Sequence, residues 1–458
     1  MKKGIEIVFV VLFFALCLIP GLGMLILPEE ENHANQVLAA EPDLLESDGS
    51  LNLDFFTEFQ DYFADHFAFR QELITLNADF LDTFFQTSNT DQVIVGENDW
   101  LYYESTLDDY LNIPTLTARS AANAAISLSL MQEYAQKNGA TLLFMVAPNK
   151  NSLYDENMPD RYVPLEQDGN WELMKKAMAA EGVNYLDLFA LFDSSDEIMY
   201  HAEDSHWNNM GAAYVQKAIM DAFGLEGTDY SQREYEVRED FKGDLYEMLF
   251  PMGDGMDENQ YYGDFTYVTD AEDTEAMRYE AVNTQKEHGL ILYRDSFGNS
   301  LAPFMAEEFG YSLALRSVPY DLDEIAAHEA DYAVIELVER HLDTLATRAA
   351  VMEAPQRDIE VPETAIEAQL TCEAAQSGEY WMLTGSFDAE QTDIGSRVYA
   401  VLGDGTDTVV YEATPAGGDG EGSFTLYIPQ DTSYTSISLV VMLDETLVST
   451  ETIEIAYS

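Results

Sequence analysis

Two cysteines, Cys17 and Cys372, stand near opposite ends of a 458-residue chain, which excludes a disulfide framework. Cations are equally scarce: 21 Lys and Arg face 85 Asp and Glu, a formal net charge of −64. A surface of that sign repels phosphate backbones, so nucleic acid is excluded as a partner, and it is pushed away from anionic lipids and anionic polymers. High solubility, or adaptation to salt, is its plain consequence. Internal repeats and long low-complexity tracts are missing. With 47% apolar residues, extended disorder is excluded as well. The length exceeds one ordinary core, so a main domain with a smaller companion is expected.

What is present begins at the N-terminus. Met1-Lys2-Lys3 precedes an apolar run from Ile5 to Leu27, interrupted by Glu6 and Pro20. About 23 such residues can cross a bilayer as a helix. Positive charge before the run and acidic charge after it place the N-terminus inside and the bulk outside. A cleaved signal peptide is the rival reading, although the run is long for one and the nearest small-residue site, around Ala39-Ala40, lies well beyond it. Residues 1–28 are read as this segment, single-pass in the cell membrane if uncleaved, and 29–50 as a polar, acidic linker.

From 51 to 360 the pattern is that of one α/β domain. Phe55, Phe56, Phe59, Tyr62, Phe63, Phe67, Ile74, Phe80, Leu81 and Phe84 recur at helical spacing and are expected to pack in a core. A hairpin is expected over 92–103. An Ala-rich helix over 118–138 ends at Asn138-Gly139, and the continuous apolar run Thr141–Ala147 follows. Helices near 170–180, 211–223 and 300–309 alternate with strands near 183–188, 289–293 and 332–337, which predicts a parallel sheet flanked by helices. From 361 to 458, short alternating segments separated by Gly, Asp and Pro predict an all-β, sandwich-like module.

Two segments carry chemistry. In His201-Ala202-Glu203-Asp204-Ser205-His206-Trp207-Asn208 an extended backbone would place Asp204 and His206 on one side, roughly 7 Å apart at Cα. Asp204 can then fix the His206 tautomer and leave the other ring nitrogen as a base. Taken alone, an Asp-x-His pair is as well explained by surface decoration or a helix cap. A metal set of His201, Asp204 and His206 lacks a further strong ligand such as cysteine, so no metal and no cofactor are expected. In Gly289–Asn299 an apolar strand ends, a tight turn holds Ser296 and a helix follows. That arrangement exposes a hydroxyl at the carboxyl end of a strand, beside backbone N–H groups suited to an oxyanion. A plain serine N-cap is the alternative. Together Ser296, His206 and Asp204 are the minimum set for covalent acyl transfer.

Asp204-Ser205-His206-Trp207-Asn208-x-x-Gly211 upstream of Arg294-Asp295-Ser296-Phe297-Gly298-Asn299 resembles the SGNH-hydrolase-like family of alginate O-acetyltransferases and the related bacterial DHHW proteins. Gly96–Tyr103, Ala147–Lys150, Lys242–Leu245, Val334–Arg340 and Asp65–Arg70 are further matching pieces. The resemblance implies a flavodoxin-like SGNH fold, with Ser296 as nucleophile, His206 as base and Asp204 as its partner. It also implies export and an acyl-ester reaction on a glycan. DHHW members carry a second histidine where this chain has Ser205, and alginate itself is not implied.

The expected function is therefore an extracytoplasmic O-acetyltransferase or O-acetylesterase acting on a cell-envelope or secreted polysaccharide. A multi-spanning membrane O-acyltransferase would hand over the acyl group in the transferase case. The alternative is a non-catalytic surface glycan-binding or scaffold protein. Asn149 is a candidate oxyanion donor, or else a turn residue. Arg294 and Arg316 are candidates to orient substrate, or else salt-bridge formers. Glu336 and Arg340, four apart, are expected to pair at a helix end. Trp100, Tyr102 and Tyr103 could stack on sugar, or pack in the core.

Overall fold

The computed structural model describes residues 2–27 and 38–457 apart from 264, 364 and 419. Residues 29–37 of the expected linker thus lie outside the described residues. Helix α1 (Lys2–Met24) contains the stretch Gly4–Met24, of mean hydropathy 2.7, which is long and apolar enough to cross a membrane. Such a helix serves equally as an anchor or as a signal sequence.

Two further helices, α2 (Phe55–His66) and α3 (Arg70–Phe85), form where the phenylalanine periodicity predicts them. The expectation that these aromatics form a core is corrected. Phe56 is 83% exposed, Phe80 53% and Phe84 68%, and α2 buries no residue. Only one side of α3, carrying Gln71 and Ala78, packs inward.

The centre is a seven-stranded sheet. In chain order its strands are β1 (Thr141–Ala147), β2 (Tyr185–Leu186), β3 (Val268–Thr269), β4 (Arg278–Val282), β5 (Gly289–Tyr293), β6 (Tyr311–Leu315) and β7 (Tyr332–Val338). The spatial order is β2-β1-β7-β5-β6-β4-β3. The first five of these run parallel, whereas β4 runs antiparallel to them and β3, antiparallel to β4, closes that edge. The sheet is therefore mixed. β4 reads exposed–buried–exposed–buried–exposed, as an antiparallel strand with one wet face should, and so lacks the continuous apolar signature of the parallel strands.

β1, by contrast, is buried from Leu142 to Ala147, because helices cover both its faces. On one side lie Ala118–Lys137 and Asn170–Glu181, sharing a core with Phe144, Ile291 and Ile335. On the other lie Asn209–Ala222 and Gly298–Glu308, sharing a core with Leu143, Leu290 and Val334. Each large apolar side chain sealed this way contributes roughly 1.5–3 kcal/mol. Helix ends obey local chemistry. Thr117 and Ser120 form a capping box, and Gly139 takes φ +85° just past the Ala-rich helix.

Beyond residue 361 the strands form a ten-stranded sheet, nine of them in one path, in which the long strand Thr408–Gly417 pairs with Val398–Gly403 and, through its last residues, with Glu421–Pro429. The two halves so joined share one core containing Leu383, Leu426, Leu402 and Leu439. The chain enters this region early: Glu353 and Gln356 already bridge to Tyr427 and Tyr411. A seam of ions fastens it to the helices. Arg357 joins Glu133 to Glu412, and Arg397 joins Glu181 to the same Glu412, whose side chain is 2% exposed.

Candidate active site

Parallel strands point their carboxyl ends the same way, and β1, β5 and β7 deliver their following loops to one edge. Ser296 lies three residues past β5. Its turn is held by Asp295, whose carboxylate accepts from Phe297 N (2.9 Å) and Val338 N (2.8 Å). Asp295 N in turn donates to Glu336 Oε2 at 3.1 Å. Glu336 is wholly buried in β7, and burial, then the Asp295 charge, raises its carboxyl well above the usual range. The elbow is thus stitched to the neighbouring strand on both sides. At Gly298 a Cβ would come within 2.5 Å of the Arg294 side chain, so the helix start requires glycine.

The second loop, 200–207, is not extended. Tyr200 and Trp207 bridge antiparallel, and the intervening residues bend so that Asp204 Oδ1 accepts from both His206 N (2.8 Å) and His206 Nδ1 (2.7 Å). The close pairing is a property of the bend rather than of a strand's alternation. Buried Lys150 holds the loop from below, its Nζ donating to the carbonyl oxygens of His201 (3.1 Å), Ala202 (2.8 Å) and Asp204 (2.6 Å). Burial pushes this lysine down to about 8, against the pull of Asp204 and other nearby carboxylates. From above, Trp207 Nε1 donates to Ser300 Oγ at 2.7 Å, tying the loop to the helix that follows the elbow.

The two loops meet: His206 Nε2 lies 2.8 Å from Ser296 Oγ. Burial alone would lower the His206 pKa, but the Asp204 charge and hydrogen bond, with Asp244, turn the net shift upward. Asp204 is fully desolvated, which would raise its carboxyl. His206, His201 and the Asp244 N–H outweigh that and hold it well below the usual range. The three residues open onto a cleft of about 690 Å³, whose walls include Tyr103, Lys242, Asn299, Arg316 and Arg340.

Asp244 was not singled out from the sequence. It accepts from Ser205 N (2.7 Å) and Ser205 Oγ (2.6 Å), its own N–H donates to Asp204 Oδ2 (2.7 Å), and its Oδ2 stands 3.6 Å from His206 Nδ1. Burial, then the neighbouring Asp204, pushes it up to about 6. Ser205, at the position of the second histidine in DHHW proteins, is thus a brace between the two acidic loops. The signal was present in Lys242-Gly243-Asp244-Leu245. A Cβ at Gly243 would lie 2.2 Å from Glu203 O, so only glycine admits this close approach.

Asp204, His206 and Asp244 are also the described group compact enough to hold a metal ion, with ligand atoms within 4.8 Å of one another. Their oxygens, however, already receive N–H and O–H donors from His206, Ser205 and Asp244, and a cation would have to displace those protons.

Two expected substrate contacts are corrected. Asn149 is fully buried, its Nδ2 donating to Asp109 Oδ2 and its N–H to Glu339 Oε2, so its amide faces away from the cleft. Arg294 is 2% exposed. Its guanidinium binds the carbonyls of Asp295, Thr274 and Ala276 and the side-chain oxygen of Asn299. Arg316 does line the cleft. The expected Glu336–Arg340 pair also fails, because residues 332–338 are a strand and not a helix. Arg340 instead lies over the rings of Tyr103 (5.5 Å) and Phe297 (5.7 Å). Trp100 and Tyr102 pack beneath, with Lys150 over both rings, which leaves Tyr103 alone at the cleft.

The mixed, mainly parallel sheet with its serine elbow and Asp-x-His loop is an SGNH hydrolase-like fold. Residues 93–293 match the family model described as the SGNH hydrolase-like domain of the acetyltransferase AlgX, so the chain carries a domain similar to that one. Among solved structures, PatB1 of Bacillus cereus is 16% identical, with 55% of this chain and 98% of that one covered and a TM-score of 0.44. A DHHW family protein of Eubacterium siraeum is 17% identical over 50% and 90% of the two chains, with a TM-score of 0.40. The O-acetyltransferase domain of Pseudomonas putida AlgJ is 18% identical over 55% and 91%, with a TM-score of 0.37. No curated protein matches the chain in sequence.

Proposed function

We propose that the chain is an extracytoplasmic serine-dependent O-acyltransferase or O-acylesterase acting on a cell-envelope or secreted polysaccharide. The observation that carries this reading is the unbroken relay from Ser296 Oγ through the His206 ring to Asp204 Oδ1 at the floor of an open cleft. Ser296 Oγ attacks the carbonyl carbon of an acyl donor and its proton passes to His206 Nε2. Asp204 steadies the imidazolium. The Ser296 N–H has no internal partner among the described residues and serves the developing oxyanion. Asn299, whose Oδ1 is held by Arg294, lines the same cleft, and its amide is assigned as the second donor. His206 then protonates the leaving group, and the acyl-enzyme is resolved by a sugar hydroxyl or by water, deprotonated by the same nitrogen.

Arg316 and Arg340, two of few cations in the chain, are assigned to substrate orientation. The folded parts are taken as 51–360 and 361–458, with 1–28 an uncleaved anchor that holds the bulk outside the cell membrane. A donor handed through a multi-spanning membrane O-acyltransferase fits that placement. A serine-directed fluorophosphonate probe tests the core of the proposal. Covalent labelling of the native chain, lost in Ser296→Ala, together with aryl acetate turnover, is the expected result. Absence of both would favour a glycan-binding scaffold.

A further inference from the structure

We infer that the α2–α3 hairpin lies on the outer face of the membrane, its phenylalanine and leucine side chains seated at the boundary between headgroups and acyl chains. The inference rests on the reading of α1 as an anchor and goes beyond it.

Phe56, Phe59 and Phe63 recur at spacings of three and four along α2, and Leu73, Leu76, Phe80 and Phe84 do so along α3, so each set forms one stripe. Exposure runs from 37% at Phe63 to 83% at Phe56. The remainder of α3 is committed elsewhere, since Gln71 and Ala78 face inward and Thr75 Oγ1 accepts from Met252 N at 3.0 Å. The stripes are therefore uncovered, on α3 although that helix is docked by its opposite side and on α2 along a helix that buries no residue. Exposed apolar stripes of this kind mark an interaction surface.

What covers it follows from the end of α1. Ala68 N, in the turn between α2 and α3, donates to Pro20 O at 3.2 Å. Gly21 and Gly23 permit close approach. A Cβ at Gly23 would sit 2.5 Å from Ala68 Cβ, and one at Gly21 would sit 3.4 Å from the Phe63 ring. A helix of 21 residues just spans a hydrocarbon core of about 30 Å, so residues 20–23 emerge at its outer boundary. The hairpin that touches them is held at that depth. Its polar positions include Glu58, Asp61, Glu72 and Asp79, so no attraction to anionic headgroups assists. Attachment is by apolar insertion, and added salt does not release it. Met248, which lines both the groove beside α3 and the catalytic cleft, links this seat to the site. The cleft is thereby kept at a set height above the lipid.

The test uses the full chain in phosphatidylcholine nanodiscs, with Phe56→Trp, Phe84→Trp and, as a control on the far β region, Ile394→Trp. Lipids brominated on the acyl chains should roughly halve the added emission at positions 56 and 84, as expected for insertion of about 5–10 Å, and leave position 394 unchanged. The quenching should persist in high salt. Equal, unquenched emission at all three positions overturns the inference. N-terminal sequencing of the extracted chain separates the two claims. A start beyond residue 27 removes the anchor, whereas an intact start with unquenched tryptophans removes the hairpin's membrane seat alone.

Discussion

The Nε2 nitrogen of His206 stands 2.8 Å from the hydroxyl of Ser296, ninety positions further along the chain, and the opposite ring nitrogen stands 2.7 Å from Asp204. The ring is therefore held at both ends. Its tautomer is set by a carboxylate that receives three donors, from His206 N, His206 Nδ1 and Asp244 N. Such a carboxylate stays ionised and has little freedom to turn away.

Replacing Ser296 with alanine removes the only atom in this relay able to form an acyl-enzyme. Aryl acetate turnover should fall about 10⁴-fold or more, with labelling by a fluorophosphonate lost and the melting temperature nearly unchanged. Turnover retained within tenfold of the native chain would defeat the assignment.

Asp204→Asn preserves shape but offers an amide where the ring expects an acceptor. A loss of about 10⁴ in kcat with little change in KM is expected from steady-state kinetics, by analogy with the general behaviour of such relays. A change confined to KM would instead give the residue a part in substrate binding.

The pH profile has a definite sign. His206 must be neutral to accept the serine proton, and its pKa is raised, chiefly by Asp204 acting against burial. Activity should therefore fall on the acid side through a value above that of ordinary imidazole. Asp244 adds to the rise, so Asp244→Asn should move the acid limb of kcat/KM to lower pH. An unmoved limb would remove Asp244 from the electrostatics of the site. By linkage, the stability that His206 gains from its partners is present below the unfolded imidazole pKa and is lost as pH rises through the folded one.

Gly243→Ala places a methyl group 2.2 Å from Glu203 O and 3.0 Å from Asp204 N, while the φ of −70° at Gly243 is one that alanine adopts freely. The Asp204 loop must shift, and a displacement near 1 Å costs about 10² in rate. Kinetics should show a depressed kcat in a chain whose circular dichroism is native. Native kcat would mean that the loop yields without consequence for the relay.

Lys150→Met deletes three hydrogen bonds to the carbonyls beneath that loop. The Ala202 oxygen keeps Leu101 N at 2.9 Å, but the His201 and Asp204 oxygens are stranded at a cost of roughly 1–3 kcal/mol each, readable as a lowered denaturation midpoint. Unchanged stability would show that water replaces the ammonium there.

Much of this arrangement was legible before any coordinates. Apolar continuity from Thr141 to Ala147 marked a strand covered on both faces, and the Ser296 turn after Tyr293 followed from an apolar run stopping at Arg-Asp-Ser. Other features were hidden for physical reasons. Antiparallel strands such as β4 alternate like surface segments and carry no parallel-sheet signature. Asp244 reaches His206 through a turn set by a glycine's missing side chain, a three-dimensional closeness that spacing does not encode. The phenylalanines of α2 and α3 show that periodicity reports an amphipathic helix without saying what lies against it. Asn149 and Arg294 have the right chemistry for substrate, but buried carboxylates and carbonyls claimed them first.

The double grip of Arg357 and Arg397 on Glu412 has a practical corollary. Shortening the chain at residue 360 would not yield a trimmed catalytic unit. Glu181 would lose its counterion Arg397, Arg357 would lose its buried carboxylate Glu412, and the small-residue flank of the helix Ala118–Lys137 would be stripped to water. Severing one partner from a buried ionic contact costs about 3–5 kcal/mol, comparable to the whole margin by which many domains stay folded. The C-terminal strands thus act as a structural keel, and their removal should register as insolubility rather than as altered glycan preference.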